Sequence, residues 1–138
     1  MGNEAKAAGA GAEVRDLGDA VVLPGLVNAH VHLDLSWMRE DPPPGGSYVA
    51  WFKDRMERVG QAPDATRRDA AEKAAAEMAA RATVAVGDVA GVPWTAAILA
   101  RSPLHAVVFL ELTGFRTEDA ERLLDQAAAS LDSIESEP

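Results

Sequence analysis

The sequence predicts an α/β fold in which three strands alternate with helices to form a parallel sheet with outer helices. Three observations carry that reading. Apolar, β-branched runs of strand length recur at residues 21–36, 83–90 and 104–113. Segments with helical periodicity or composition follow them, over residues 48–59, 66–82, 93–101 and from 117 onward. Pro, Gly and Ser signals punctuate the joins between these segments.

Residues 1–12 are Ala, Gly and charge without periodicity and read as a flexible lead-in. Residues 13–23 alternate briefly around Gly18-Asp19, a hairpin-type turn signal. Pro24-Gly25 then turns the chain into the first strand, whose centre is His30-Val31-His32. A strand sends alternate side chains to one face. His30 and His32 therefore point the same way, with Asn28 and Asp34, while Val27, Ala29, Val31, Leu33 and Leu35 take the other face. Two neutral imidazoles so spaced can ligate one divalent ion at nitrogen–metal distances of about 2.0–2.1 Å. The alternative for a bare His-x-His is structural, with one ring buried and hydrogen-bonded and the other exposed.

After Ser36 come Trp37-Met38 and the loop Asp41-Pro42-Pro43-Pro44-Gly45-Gly46. Ser47 caps a helix over residues 48–59, and Gly60 stops it. Tyr48, Phe52, Met56 and Val59 fall on one stripe with Trp51 beside it, a pattern that favours core over pocket. Trp37, just past the end of the first strand, is the better pocket candidate. The Ala-rich helix over residues 66–82 suits close packing on a sheet. Residues 83–90 read as a largely buried strand; Asp88 near its C-terminal end would face the active site of a (β/α)₈ barrel, but a structural hydrogen-bonding role is favoured for it. Ser102-Pro103 ends the helix over residues 93–101. His105 opens the third strand and reads as structural, whereas Glu111 lies at its opposite end. Thr117 caps a last helix whose expected buried face is Leu123, Leu124, Ala127, Ala128 and Leu131.

With 138 residues, 48% hydrophobic and 25% charged, the chain has the composition of one globular domain. A net charge of −9 argues against nucleic-acid and acidic-membrane partners. The absence of cysteine rules out a disulfide framework and a thiolate zinc site. No apolar run is long enough to span a bilayer, and the N-terminus lacks a signal peptide's basic head and apolar core. A cytoplasmic location is the resulting expectation.

The run from Leu23 to Ser36, with Pro24-Gly25, Asn28, His30, His32, Leu33 and Ser36 in place, closely resembles the first barrel strand of the metal-dependent amidohydrolase superfamily. The match is to its deaminase and chlorohydrolase-like branch. The resemblance implies a TIM-type (β/α)₈ barrel, of which residues 21–138 would form the first three β/α units. Residues 1–20 would then be lead-in and a remnant of the family's N-terminal β-sandwich. It implies that His30 and His32 are metal ligands, for zinc or alternatively ferrous iron. It also places Trp37 and Glu111 at the substrate pocket.

The family's other ligands, two histidines from the fifth and sixth strands and an aspartate from the eighth, have no positions in three units. Neither does its proton-shuttling glutamate, so no catalytic set is complete in this chain. The implied activity is metal-assisted hydrolysis of a non-peptide carbon–nitrogen bond, releasing ammonia from an amino-purine or similar heterocycle. Ser47-Tyr48-Val49-Ala50-Trp51 leans toward an aminofutalosine-deaminase-like parent. The alternative is a non-catalytic remnant that acts by association. Open sheet edges in a partial barrel would favour self-association.

Overall fold

The computed structural model describes residues 15–40, 46–114 and 116–135. Its strands are β1 (Leu26–Val31), β2 (Thr83–Ala90) and β3 (His105–Leu110). They form one sheet in the order β1-β2-β3, with both pairings parallel. A 3₁₀ helix (Leu33–Met38), α1 (Tyr48–Gln61) and α2 (Asp64–Ala80) connect β1 to β2. Helix α3 (Thr95–Ala100) connects β2 to β3, and a 3₁₀ turn (Thr117–Asp119) leads into α4 (Ala120–Glu135). The α/β class and the three parallel strands are those the sequence predicts.

The core lies on one side of the sheet. Ala71 and Ala75, four residues apart on α2, are buried in one cluster with Val86 of β2. Methyl-sized side chains let a helix approach a sheet closely, so an alanine stripe buries well despite its small area. Leu33, Ile98, Leu99 and Leu104 complete the cluster, and Val31, Met78 and Val108 pack on its margin. The other face of the sheet is open: Val27, Val107 and Phe109 are 68%, 58% and 55% exposed. Register places them together, since Val27 pairs with Ala85, Gly87 with Val107, and Val89 with Phe109. Among the described residues, β1 and β3 each leave one edge unpaired.

Strand β1 is not regular. Asn28 pairs with Val86 but Val31 with Asp88, so three steps of β1 span two of β2. Asn28 and Val31, an odd number of residues apart, consequently both face the helices. The Asn28 amide donates to the Met78 sulfur at 3.7 Å, and Val31 joins the core margin. Strict alternation had put Asn28 with the histidines; the bulge removes it from that face.

The helices depart from expectation in ways that have local causes. Helix α1 runs through Gly60 to Gln61. Pro63 supplies the stop, because a residue before proline is pushed out of the helical region, and Ala62 is extended at φ −71°, ψ 131°. Ser47 occupies the N-cap position but its hydroxyl makes no capping bond. No residue of α1 is buried, so the aromatic stripe is not core. Tyr48 instead packs against Trp51 and Phe52, with ring centroids 5.4 and 6.2 Å away. Helix α2 starts at Asp64, two residues early, its carboxylate favourable at a helix N-terminus.

In α4 the half-buried stripe is Leu123, Ala127, Ser130 and Ile134, while Leu124, Ala128 and Leu131 are exposed. The stripe keeps Leu123 and Ala127 but is rotated by roughly 60° from the expected face. Residues 15–25 form no strand, so the expected hairpin is absent there. Asp16 Oδ1 accepts the Gly18 N–H at 2.8 Å in a local turn, and Val21, Val22 and Leu23 stay exposed. The lead-in at residues 1–12, the Pro-Gly loop at residues 41–45 and the Thr117 side chain lie outside the described residues.

The bulge explains one glycine. A Cβ at Gly87 would lie 2.6 Å from the Ala29 carbonyl oxygen, a backbone atom that cannot swing aside. Gly87→Ala is therefore expected to cost about 1–3 kcal/mol, the usual range for overpacking. Urea unfolding of the variant beside the wild type checks this, and equal stability would mean that β1 does not press on β2 as described.

Candidate metal centre

His30 is the penultimate residue of β1, and His32 follows its end. Their Nε2 atoms lie 3.2 Å apart, with ring centroids at 5.1 Å and planes inclined by 67°. This separation has two readings, and the tautomers decide between them. Either one ring donates its N–H to the other, or both lone pairs converge on a cation. Nitrogens 3.2 Å apart, each about 2.0–2.1 Å from a shared ion, subtend about 100–106° there, close to the tetrahedral value of about 109°. The Nε2 separation alone is thus the one that two ligands of a shared zinc-like ion would have. His30 is exposed and His32 half-buried, so the pair is reached from solvent.

The chain behind His32 is tightly held. The Leu33 N–H donates to Asp88 Oδ1 of β2 at 2.9 Å, and Leu33 itself is completely buried. This bond takes the backbone out of the strand ladder, and Leu35 N–H closes the 3₁₀ turn on the His32 carbonyl at 3.1 Å. Asp88, 0% exposed, has the structural hydrogen-bonding role favoured for it over one on the active face. Asp34, expected on the histidine face, is instead on the 3₁₀ helix and 3% exposed. The strand ends too early to carry it outward.

Asp34 Oδ2 faces Arg67 Nη2 of α2 at 3.4 Å, an ion pair buried at both ends. Burial pushes the Asp34 carboxyl above its ordinary 3.8. The Arg67 guanidinium opposes that shift, nearby Asp88 adds to it, and His32 and the Gly91 N–H counteract it. Arg67 Nη1 also faces the exposed Asp64 Oδ1 at 3.4 Å, while Asp34 Oδ1 and Asp88 Oδ2 have no hydrogen-bond partner. Sequence reasoning missed this cluster. One signal was available: Arg67 stands at i in the stripe Arg67, Ala71, Ala75, a charge on an otherwise small, core-facing helix face.

The other two candidates lie apart. Trp37 is half-buried on the 3₁₀ helix, its indole N–H without an acceptor and the Arg58 guanidinium 5.5 Å from its ring. Glu111 is exposed just beyond β3, extending the ladder through its N–H to the Ala90 carbonyl at 2.8 Å. It lines a cleft of about 220 Å³ with Gly91, Leu110, Leu123 and Ala127, to which neither histidine contributes. Among the described residues, no hydrogen bond, ion pair or ring contact joins Trp37 or Glu111 to the histidines.

Nor do three or more His, Cys, Asp or Glu side chains converge on a common point among those residues, so the pair offers two ligands. Set against protein-family profiles, curated proteins and solved structures, the chain matches none. No described helix is long and apolar enough to cross a membrane. The histidine pair and its buried support are therefore read on their own chemistry.

Removing Arg67 would leave the Asp34 carboxyl buried without its cation. Arg67→Met is expected to destabilise by about 3–5 kcal/mol in urea unfolding. The pH dependence has a definite sign. Asp34's folded pKa is raised, so its stabilising contribution is full below the unfolded value and is lost as pH rises through the folded one. Wild type should accordingly lose stability relative to Asp34→Asn as pH rises through that window. A pH-independent difference between the two proteins would count against the buried carboxyl.

Proposed function

We propose that this chain supplies the metal-binding opening of a metal-dependent amidohydrolase of the deaminase type. In this reading its three β/α units belong to a TIM-type barrel, and His30 and His32 are two ligands of zinc or ferrous iron. The observation that carries the proposal is the 3.2 Å approach of the two Nε2 atoms at the C-terminal end of a parallel strand. Ligand sites of parallel α/β sheets gather at that end. The unpaired edges of β1 and β3 are where further parallel strands would add.

A divalent ion held by His30 and His32 would supply Lewis acidity for the hydrolysis. The chain's own residues do the rest. His30 and His32 would hold the ion through their Nε2 atoms, and Asp88 fixes the backbone beyond His32 through Leu33. Trp37 and Glu111, beyond the ends of β1 and β3, are the proposed contacts for an amino-purine or similar heterocycle. The net reaction is hydrolysis of its exocyclic carbon–nitrogen bond with release of ammonia. The proposed compartment is the cytoplasm, which suits a chain without cysteine.

A second reading, a non-catalytic protein that acts by association, is favoured by one observation: the described residues offer two ligands, where a catalytic zinc takes about three plus water. Calorimetric zinc titration and an ammonia-release assay on amino-purine substrates test both readings. As a monomer the 138-residue chain should bind zinc weakly, and the His30→Ala, His32→Ala double variant should not bind it at all. Ammonia release by the monomeric chain alone should stay at background. Zinc binding that survives the double substitution would remove both histidines from the site.

A further inference from the structure

The uncovered face of the sheet differs from the rest of the molecule in charge. The chain carries a net charge of −9, yet the only carboxylate within the three strands is Asp88, and that side chain is buried beneath the opposite face. The open face consists of Val27, Ala85, Gly87, Val89, Val107 and Phe109, with His30 near its C-terminal end. His105, paired with Ala85, stands at its N-terminal end. Small side chains on central β2 form a shallow trough beside the ridge of Val107 and Phe109.

Two copies can approach through this face without setting carboxylate against carboxylate, whereas repulsion opposes most other approaches. The histidine pair meanwhile offers half of a tetrahedral shell at a near-tetrahedral bite, and no third ligand converges on it among the described residues.

We propose that a second copy of this chain docks face to face on the open sheet, and that His30 and His32 of both copies supply the four nitrogens of one zinc ion. A two-fold axis through the ion makes the contact isologous, so one patch serves both partners. Facing sheets pack about 10 Å apart, a gap that imidazoles from both sides and a shared ion can bridge. Docking covers Val27, Val107 and Phe109 in the same step, so apolar burial and coordination reinforce one another. The inference rests on the histidines being metal ligands and on the second reading above, in which a chain acting by association keeps this face open and no barrel closes over it.

Sedimentation equilibrium of the full chain tests it, first in EDTA and then through a zinc titration. The expected result is a monomer in EDTA whose mass doubles at one zinc per two chains and reverts on chelation. The double variant His30→Ala, His32→Ala should remain monomeric at every zinc level. Val107→Glu, a change at an exposed position, should leave the histidines intact but prevent the dimer, giving weak zinc binding by a monomer. A wild-type monomer binding one zinc per chain would overturn the dimer while leaving the histidine assignment standing. A dimer that persists in EDTA, or one that zinc still induces in the double variant, would also overturn it. No zinc binding by any form would remove the dimer and the histidine assignment together.

Discussion

The hydrogen bond from the Leu33 N–H to the buried Asp88 carboxylate sets the shape of everything around the histidines. A bond to a charged acceptor in a water-excluded site contributes about 1.5–3 kcal/mol, and losing it would leave the acceptor desolvated. Its geometric effect is larger than that figure suggests. It ends β1, drives Leu33 into the core and fixes the backbone immediately after His32. Because Asp88 belongs to the central strand, the site inherits the stiffness of the best-packed part of the sheet.

The sheet is built asymmetrically, and composition explains why. The helix-facing side uses Val86, Val108 and the alanines of α2 to pack at short range. The opposite side carries Val27, Val107 and Phe109, which find no cover among the described residues although their burial would be favourable. Polar chemistry is divided in the same way. The acid–base cluster of Asp34, Asp88 and Arg67 lies under the helices, and the imidazoles lie toward the open side.

Much of this was legible in the sequence, for identifiable reasons. β2 is buried on its full run from Val86 to Asp88, so its apolar sequence marked it clearly, and its boundaries match. The spacing of His30 and His32 is a local property and survives the bulge beside it. Asn28 and Asp34 were misplaced because strict alternation assumes a regular strand through residue 36, and neither the bulge nor the Asp88 bond has a local signature. The core reading of α1 failed because periodicity shows that a helix has an apolar face, not that a partner exists to cover it. In α4 two adjacent stripes were both apolar, and tertiary packing chose between them. The pairing of Asp34 with Arg67 joins residues far apart in sequence, which no short-range pattern reports.

Arg67 has a consequence for how α2 is set on the sheet. An alanine face is smooth, and ridges of identical methyl groups would pack almost as well after a slide of one helical turn, about 5.4 Å. A guanidinium at the N-terminal end of that face removes the degeneracy. Only one placement brings Arg67 to Asp34, and any other leaves a charge stranded in the apolar layer. A single costly ion pair thereby converts a slippery contact into a keyed one, choosing among arrangements that alanine alone would leave nearly equal in energy.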